Sequence, residues 1–251
     1  RVPHDERKPG SRQAAMIQAL SLDLDDTLLD NAAAEAAGVA ALHAAYAETL
    51  PTRAEVLRRW QVAIAATWAR FLAGELTFTQ VRHARVRAVF ARPDLDESAC
   101  AARFAVFLSA YERAWRCFPD VAPFLAAVRL PIAVVSNARS EQQAAKLRAT
   151  GLIGRVAYLV TPDIAGAGKP QPAIFHHACR LLGVAPVRCL HVGDHRSEDI
   201  AGALDAGLRA CWIDRAGDGA APAGAAQVRT LGEIPALLMT DLPASGPRGC
   251  R

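Results

Sequence analysis

Residues 17–27 of this chain read IQALSLDLDDT, a short and mostly apolar run that ends abruptly in acids and a threonine. An apolar run of this length, closed by polar residues, is typical of a buried β-strand. The strand is predicted at residues 17–22, so that Asp23 and Asp25 follow it directly. The stretch therefore predicts a strand of an interior sheet that carries two carboxylates at its carboxyl end.

Beyond residue 119, short apolar runs alternate with helical patterns. Strands are predicted at residues 131–135, 156–160, 187–192 and 209–213, helices at 121–129, 140–150, 172–182, 199–206 and 231–238, and loops at 161–168 and 216–224. Alternating strands and helices form parallel sheets that are covered by helices on both faces. We therefore expect an α/β fold with a Rossmann-like parallel sheet core.

The region between the first strand and residue 119 has a different pattern. It predicts four helices, at residues 31–49, 53–72, 77–91 and 96–115, with aromatic stripes at helical spacing. A helical block that interrupts an α/β pattern is interpreted as an inserted α-helical cap domain. The expected domains are a core of residues 16–30 and 119–240, a cap of residues 31–118, and tails of residues 1–15 and 241–251.

Composition narrows the class of protein. The chain has 251 residues, of which 52% are hydrophobic and 22% charged, and this balance is globular rather than disordered. Its formal charge of +4 forms no basic block, so no nucleic acid polymer is expected as a partner. No apolar run is long enough for a membrane helix. The six cysteines include no CxxC pair, and we expect a cytoplasmic protein that is a monomer or a homodimer.

Polar side chains follow several of the predicted strands, and the carboxyl ends of parallel strands meet at one crevice. The candidates are Asp23, Asp25, Thr27, Ser136, Asn137, Lys169, Asp194 and Asp199. Carboxylates that share a crevice favour a cation between them, and oxygen ligands suit Mg²⁺. A lysine and a hydroxyl beside that cation are ligands for an anion. The combination indicates a site for phosphoryl transfer, in which an aspartate can be the nucleophile.

Taken singly, these residues also have simpler interpretations. Ser136-Asn137 is an ordinary turn sequence, Lys169 could be a solvated loop residue, and Asp194 and Asp199 could cap a helix. The functional interpretation depends on the ordered set.

The ordered set resembles the four motifs of the haloacid dehalogenase (HAD) superfamily. Asp23-Leu24-Asp25-Asp26-Thr27 is similar to its first motif, and Ser136-Asn137 is similar to its second. Lys169-Pro170 is similar to the third, and Gly193-Asp194 through Asp199 to the fourth, GDxxxxD. The insertion between the first two motifs resembles the helical C1 cap of subfamily I.

The resemblance implies a role for each residue. Asp23 would be the nucleophile and a ligand of Mg²⁺, and Asp25 would be the general acid/base, with its backbone carbonyl on Mg²⁺. Thr27 would orient Asp25 near the substrate. Ser136, Asn137 and Lys169 would bind the phosphoryl group, and Lys169 would also contact the nucleophile. Asp194 would ligate Mg²⁺, and Asp199 would support the metal site through water or Lys169.

The expected activity is a Mg²⁺-dependent phosphatase that hydrolyses a small phosphomonoester such as a nucleotide, a sugar phosphate or a phosphoglycolate-like acid. The sequence looks most like the branch of nucleotidases and N-acylneuraminate-9-phosphatase. An L-2-haloacid dehalogenase is one alternative, but those relatives need no metal and lack counterparts of Asp25, Asp194 and Asp199. Phosphomutases need cap residues that we do not identify here. The alternative without catalysis is a phospho-acceptor signalling domain or a binding-only domain.

Overall fold

A computed structural model describes residues 16–217, 219–240 and Leu242. Its centre is a six-stranded parallel sheet with the strand order β3-β2-β1-β4-β5-β6, and this confirms the expected α/β fold class. The strands are β1 Ala19–Leu22, β2 Ile132–Val135, β3 Tyr158–Val160, β4 Cys189–Gly193, β5 Arg209–Ile213 and β6 Ala226–Val228. The predicted tails, residues 1–15 and all of 241–251 except Leu242, lie outside the described residues.

The strand that follows the chain's first described residues lies in the middle of the sheet. β1 pairs with β2 on one side and with β4 on the other, and all four of its side chains are buried. Leu20 and Leu22 belong to one apolar cluster, whereas Ala19 belongs to a second cluster on the opposite face. A strand that is covered on both faces needs a nearly continuous apolar sequence, which explains the run at residues 17–22.

The helices agree with the sequence pattern at most positions. They are α1 Asn31–Ala45, α2 Arg53–Leu72, α3 Phe78–Phe90, α4 Glu97–Arg113, α5 Val121–Ala127, α6 Ser140–Ala149, α7 Pro162–Ala165, α8 Pro172–Leu182, α9 Gly202–Asp205 and α10 Ile234–Leu237. Short 3₁₀ turns lie at Pro186–Arg188 and Leu231–Glu233, and a π-type turn at Arg196–Ala201 leads into α9. Two expectations were wrong in detail: α7 lies inside the predicted loop 161–168, and β6 was not predicted.

The chain divides into two compact units. One consists of the described residues up to Leu29 together with those from Cys117 onward, and the other is Asp30–Arg116. The second unit contains α1 to α4 and has its own core, in which the ring of Trp60 stacks on that of Phe107 at 4.0 Å. Its helices begin at side-chain caps; Thr77, for example, forms a capping box with Gln80 at the start of α3.

Among the helices that the structure describes, none combines the length and the apolar character that a membrane crossing requires. Five cysteines within the described part of the chain are free thiols: Cys100, Cys117, Cys179, Cys189 and Cys211.

Candidate active site

Lys169 is the centre of a buried ion-pair cluster at the carboxyl end of the sheet. Its Nζ lies 2.5 Å from Asp23 Oδ1 and 2.6 Å from Asp199 Oδ1, and all three side chains are buried. Asp23 continues β1, since its N–H donates to the carbonyl of Val192 at the end of β4. Asp199 lies in the π-type turn that follows β4. Three separate segments therefore bring two carboxylates to one ammonium group.

Burial and neighbouring charges set the protonation of this cluster. Burial alone lowers the pKa of Lys169, but the Asp199 and Asp23 carboxylates outweigh burial and hold that pKa above its usual range. Burial likewise raises the pKa of Asp199, and here Lys169 and the hydrogen bond from His191 outweigh it and hold the pKa below its usual range. Lys169 is therefore protonated and Asp199 ionised at neutral pH.

For Asp23 and Asp194, burial outweighs the nearby positive charge, so that the pKa of each is raised. Burial raises the pKa of Asp23 well above its usual value, Lys169 partly offsets this, and the other carboxylates raise it further. Burial, followed by Asp199 and Asp26, raises the pKa of Asp194 to about 7. Both carboxylates therefore lack sufficient positive charge in their surroundings.

The same carboxylates form a possible metal site. Asp23, Asp194 and Asp199 each offer an oxygen, and these oxygens lie within 4.8 Å of one another. Fully ionised, three carboxylates beside one ammonium group carry two excess negative charges, which a divalent cation would neutralise. An all-oxygen donor set suits Mg²⁺. The raised pKa values of Asp23 and Asp194 are an independent sign that the residues fit such a cation.

Asp199 is already held on both carboxylate oxygens. Its Oδ1 accepts from Lys169 and from His191, and its Oδ2 accepts from the backbone N–H of His195 at 2.9 Å. The carboxylate occupies the space over Gly193, where a Cβ would lie 2.3 Å from Asp199 Cγ. This arrangement agrees with a supporting role for Asp199, and it explains why β4 ends in glycine.

Asp194 and Thr27 lie together beside this cluster. The Thr27 hydroxyl, which is buried, donates to Asp194 Oδ1 at 3.4 Å. The Trp212 indole N–H donates to the backbone carbonyl of Asp194 at 2.7 Å. Thr27 is therefore in contact with Asp194, and its orientation of Asp25 near the substrate stays a prediction.

Asn137 contacts the backbone on both sides of Lys169. Its Oδ1 accepts from the N–H of Lys169 at 2.6 Å, and its Nδ2 donates to the carbonyl of Lys169 at 2.8 Å and to Glu198 at 2.7 Å. These bonds fix the start of the Lys169 side chain. The amide of Asn137 thus positions the lysine, while its contact with a substrate stays a prediction.

The side chain of Asp25 is bonded by α6 and not by Lys169. Its Oδ1 accepts from Lys146 Nζ at 2.5 Å, and its Oδ2 accepts from Gln143 Nε2 at 2.8 Å. Gln143 Nε2 also donates to Ser136 Oγ at 2.6 Å, so one amide joins the expected acid/base to the expected phosphoryl ligand. The metal site described above therefore does not include the Asp25 carboxylate, and ligation through its backbone carbonyl stays a prediction.

The sequence interpretation missed three buried polar residues near the site, namely Gln143, Lys146 and His191. His191 lies within β4 directly opposite Ser21 of β1. Ser21 Oγ lies 2.9 Å from His191 Nδ1, and His191 Nε2 lies 3.1 Å from Asp199 Oδ1. Burial lowers the pKa of His191, so the ring is neutral; because the ionised Asp199 can only accept, Nε2 carries the proton.

Comparison with known proteins places this arrangement in a family. Residues 17–207 match the haloacid dehalogenase-like hydrolases. The phosphoserine phosphatase of Thermus thermophilus is 32% identical over 222 residues, covering 79% of this chain and 89% of that protein. The N-acylneuraminate-9-phosphatase of Rattus norvegicus is 34% identical over 127 residues, covering 48% of this chain and 51% of that protein. The expected similarity to that phosphatase is confirmed over about half of each chain.

Solved structures share the fold. The HAD-hydrolase YfnB from Bacillus subtilis, solved bound to magnesium, superposes with a TM-score of 0.77 at 22% identity, covering 90% of this chain and all of that one. The 2-haloacid dehalogenase from Pseudomonas syringae pv. Tomato DC3000 superposes with a TM-score of 0.64 at 28% identity, covering 89% of this chain and 99% of that one. The match over residues 17–207 and this shared fold together show that the chain belongs to the haloacid dehalogenase-like hydrolases.

Proposed function

We propose that this hydrolase is a Mg²⁺-dependent phosphatase that cleaves a small phosphomonoester through an aspartyl-phosphate on Asp23. The observation that carries the proposal is the cluster of Asp23, Asp194 and Asp199, whose oxygens lie within 4.8 Å of one another, together with the ammonium group of Lys169, which contacts Asp23 and Asp199. A phosphatase needs positive charge against the phosphoryl oxygens and a carboxylate nucleophile next to that charge. This cluster offers both.

In the first half-reaction, an Asp23 carboxylate oxygen attacks phosphorus, and the bond from phosphorus to the ester oxygen breaks. Asp25, in its protonated form, gives its proton to the leaving oxygen, so that an alcohol departs. Lys169 Nζ, 2.5 Å from Asp23 Oδ1, is close enough to hold the nucleophile and to contact the phosphoryl group. The Ser136 hydroxyl is proposed to donate to a phosphoryl oxygen.

In the second half-reaction, the Asp25 carboxylate takes a proton from water while the water oxygen attacks phosphorus. The acyl phosphate bond to Asp23 breaks, which regenerates the carboxylate and releases inorganic phosphate. Asp25 regains its proton in this step and is ready for the next cycle. Two carboxylates that are separated by one residue therefore have separate tasks, nucleophilic attack and proton transfer.

Asp23 and Asp194 would hold Mg²⁺ through their carboxylates, and Asp25 through its backbone carbonyl. Asp199 would support the cation, since its oxygens are already bonded to Lys169, His191 and the His195 backbone. When bound, the cation supplies positive charge against the phosphoryl oxygens. Without the cation, the Asp23 and Asp194 carboxylates would either keep a proton, as their raised pKa values indicate, or, when ionised, repel an incoming phosphate.

The proposed substrate is a small phosphate, such as a nucleotide, a sugar phosphate or a phosphoglycolate-like acid, rather than a nucleic acid polymer. The relatives described above are named for phosphoserine and for N-acylneuraminate 9-phosphate, and both names support a small phosphomonoester. We propose residues 31–118 as the cap that selects the substrate. We also propose that the enzyme works in the cytoplasm, which the free thiols support. The proposed oligomeric state is a monomer or a homodimer.

Dehalogenation is the second candidate, because a 2-haloacid dehalogenase shares the fold at 28% identity. Such enzymes use an aspartate nucleophile on carbon and need neither a proton donor for an ester oxygen nor a metal site. Asp25 and the trio of Asp23, Asp194 and Asp199 therefore favour a phosphatase over a dehalogenase.

The decisive experiment measures phosphate release from a panel of phosphomonoesters, with Mg²⁺ and with EDTA, for the wild type and for Asp23→Asn. We expect turnover that needs Mg²⁺ and is lost in the variant. Release of halide from 2-haloacids without added metal would instead support the dehalogenase. A stable phosphorylated protein without turnover would support a phospho-acceptor domain.

A further inference from the structure

The hydroxyl of Ser136 is oriented by two donors. Its Oγ accepts from Gln143 Nε2 at 2.6 Å and from the backbone N–H of Ala138 at 3.3 Å. A serine hydroxyl has two acceptor lone pairs and one hydrogen. Because both lone pairs face N–H donors, the hydrogen is directed away from them, and the hydroxyl can act towards a ligand only as a donor. A donor is what a phosphoryl oxygen requires.

The side-chain amide of Gln143 has two N–H groups, and it uses both. One donates to Ser136 Oγ, and the other donates to Asp25 Oδ2 at 2.8 Å. Gln143 is fully buried within α6, so its amide has little freedom to turn. A single NH₂ group therefore fixes the direction of the Ser136 hydroxyl and the position of the Asp25 carboxylate relative to each other.

Lys146 holds the other oxygen of the same carboxylate. It lies one helical turn after Gln143 on α6, on the same face of that helix. Its Nζ is 2.5 Å from Asp25 Oδ1, and its side chain is 2% exposed against 26% for Asp25. A buried ammonium group behind a partly exposed carboxylate limits the rotation of that carboxylate and leaves one edge of it open.

We propose that Gln143 and Lys146 are positioning residues for the hydrolysis of the phosphomonoester: Gln143 aligns Ser136 and Asp25 together, and Lys146 aligns Asp25. The inference rests on the proposed phosphatase function and adds two residues to it. Neither residue touches the substrate; each acts through a group that does.

Replacement of Lys146 and replacement of Gln143 should change the reaction kinetics in different ways. Proton donation by Asp25 matters when the leaving oxygen is strongly basic, as in an alkyl phosphate, and matters little for 4-nitrophenyl phosphate, whose leaving group departs without help. A variant that misplaces only Asp25 therefore slows the alkyl ester selectively. A variant that also turns the Ser136 hydroxyl weakens the binding of the phosphoryl group, which slows both esters.

The experiment measures kcat/KM in Mg²⁺ for ethyl phosphate and for 4-nitrophenyl phosphate. For Lys146→Met we expect a decrease of roughly 10- to 100-fold on ethyl phosphate, a part of the usual contribution of general acid catalysis, and a change within about threefold on the nitrophenyl ester. For Gln143→Leu we expect the same selective loss on ethyl phosphate. In addition, kcat/KM should decrease roughly tenfold for both esters, because the Ser136 hydroxyl loses its alignment. Ser136→Ala should lower kcat/KM by the same factor for both esters.

Gln142→Leu is the matched control, because Gln142 is the adjacent residue of the same type on α6 and has no part in these contacts. This variant should have kcat/KM values within about twofold of the wild type for both esters. The Asp25→Asn background gives a second control. There, Lys146→Met should cause no further decrease in kcat/KM for ethyl phosphate, because a residue that acts only through Asp25 has no effect once that carboxylate is removed.

Two results would overturn the inference while the phosphatase function stands. One is an equal loss of kcat/KM on the two esters for Lys146→Met, and the other is a Gln143→Leu variant as active as the Gln142→Leu control. A wild type that releases no phosphate overturns both. Folding is checked by circular dichroism and thermal unfolding. Lys146→Gln, which keeps a neutral donor, replaces Lys146→Met if that variant unfolds, and it should show the same selectivity between the two esters.

Discussion

Asp23 and Asp25 are separated by one residue, yet their surroundings differ in charge balance. Asp23 shares Lys169 with Asp199 and lies near Asp194, so negative charge exceeds positive charge there. Asp25 is bonded to Lys146 and to the neutral amide of Gln143 and is partly exposed. The first region is prepared for a cation and an anionic ligand, whereas in the second a lysine and an amide of the protein itself hold the carboxylate in place. Charge balance therefore separates the proposed nucleophile from the proposed proton carrier.

The largest expected effect comes from removing the carboxylate of Asp23. Asp23→Asn should lower phosphate release by roughly 10⁴-fold or more, because the amide is a poor nucleophile. In EDTA the same variant should unfold at a higher temperature than the wild type, because it removes a carboxylate whose pKa is raised by burial. Activity assays and thermal unfolding test the two parts. A metal-free variant less stable than the wild type would contradict the charge imbalance proposed here.

The two lysines should differ in their contribution to stability. Lys169→Met leaves two buried carboxylates without their cation and should lower the free energy of unfolding by about 3–5 kcal/mol. Lys146→Met leaves Asp25, which retains contact with water, and should lower it by about 1 kcal/mol. Urea unfolding of both variants in EDTA measures the difference. Equal losses would show that the two regions do not differ as described.

Metal and pH should change the stability of the protein through the first region, which contains Asp23, Asp194 and Asp199. The pKa of Asp194 is raised from 3.8 to about 7, so between these values the folded protein keeps a proton that the unfolded chain loses. The stabilisation is complete below pH 3.8 and is lost as the pH rises through about 7. Thermal unfolding in EDTA should show this decline, and Mg²⁺ should reduce it. Asp194→Asn should weaken both the decline and the response to metal, leaving the part that comes from the raised pKa of Asp23, whereas Lys146→Met should keep both in full.

A smaller effect on activity than that of Asp23→Asn should come from His191, whose ring contacts Asp199 in the first region. His191→Phe keeps the ring volume but removes the donor to Asp199, which Lys169 and the His195 backbone still hold. We expect a decrease of about 10- to 100-fold in kcat/KM, similar on ethyl and 4-nitrophenyl phosphate. A selective loss on ethyl phosphate would instead connect His191 to the region of Asp25.

The sequence predicted five of the six strands and the approach of Asp23, Lys169 and Asp199 at the carboxyl end of the sheet. Residues at strand ends are recognisable because an apolar run stops at them, as at Asp23 and Asp194, and parallel strands bring such ends together. The four-residue α7 and the three-residue β6 were missed for a physical reason. Elements of three or four residues contain little more than one repeat of a hydrophobic pattern, and the Pro and Gly residues around them indicate loops equally well.

Gln143, Lys146 and His191 were missed because their partners are distant in sequence. A glutamine and a lysine on a helix are ordinary surface residues, and only the fold brings them to Asp25. One signal was present: the chain has just three lysines, of which Lys146 and Lys169 both lie in the sheet-containing unit, and both are buried. His191 gave a second signal, since it interrupts the apolar run of β4.

The central position of β1 has a consequence for how the chain reaches its fold during synthesis. β1 is synthesised before Asp30–Arg116, whereas both of its neighbours, β2 and β4, are synthesised after the whole of that unit. The helical unit makes its contacts locally and can fold while β1 is still without a partner. The apolar β1 must therefore wait for the late strands, and this interval, rather than the finished sheet, is where the nascent chain is most exposed to aggregation and most dependent on chaperones.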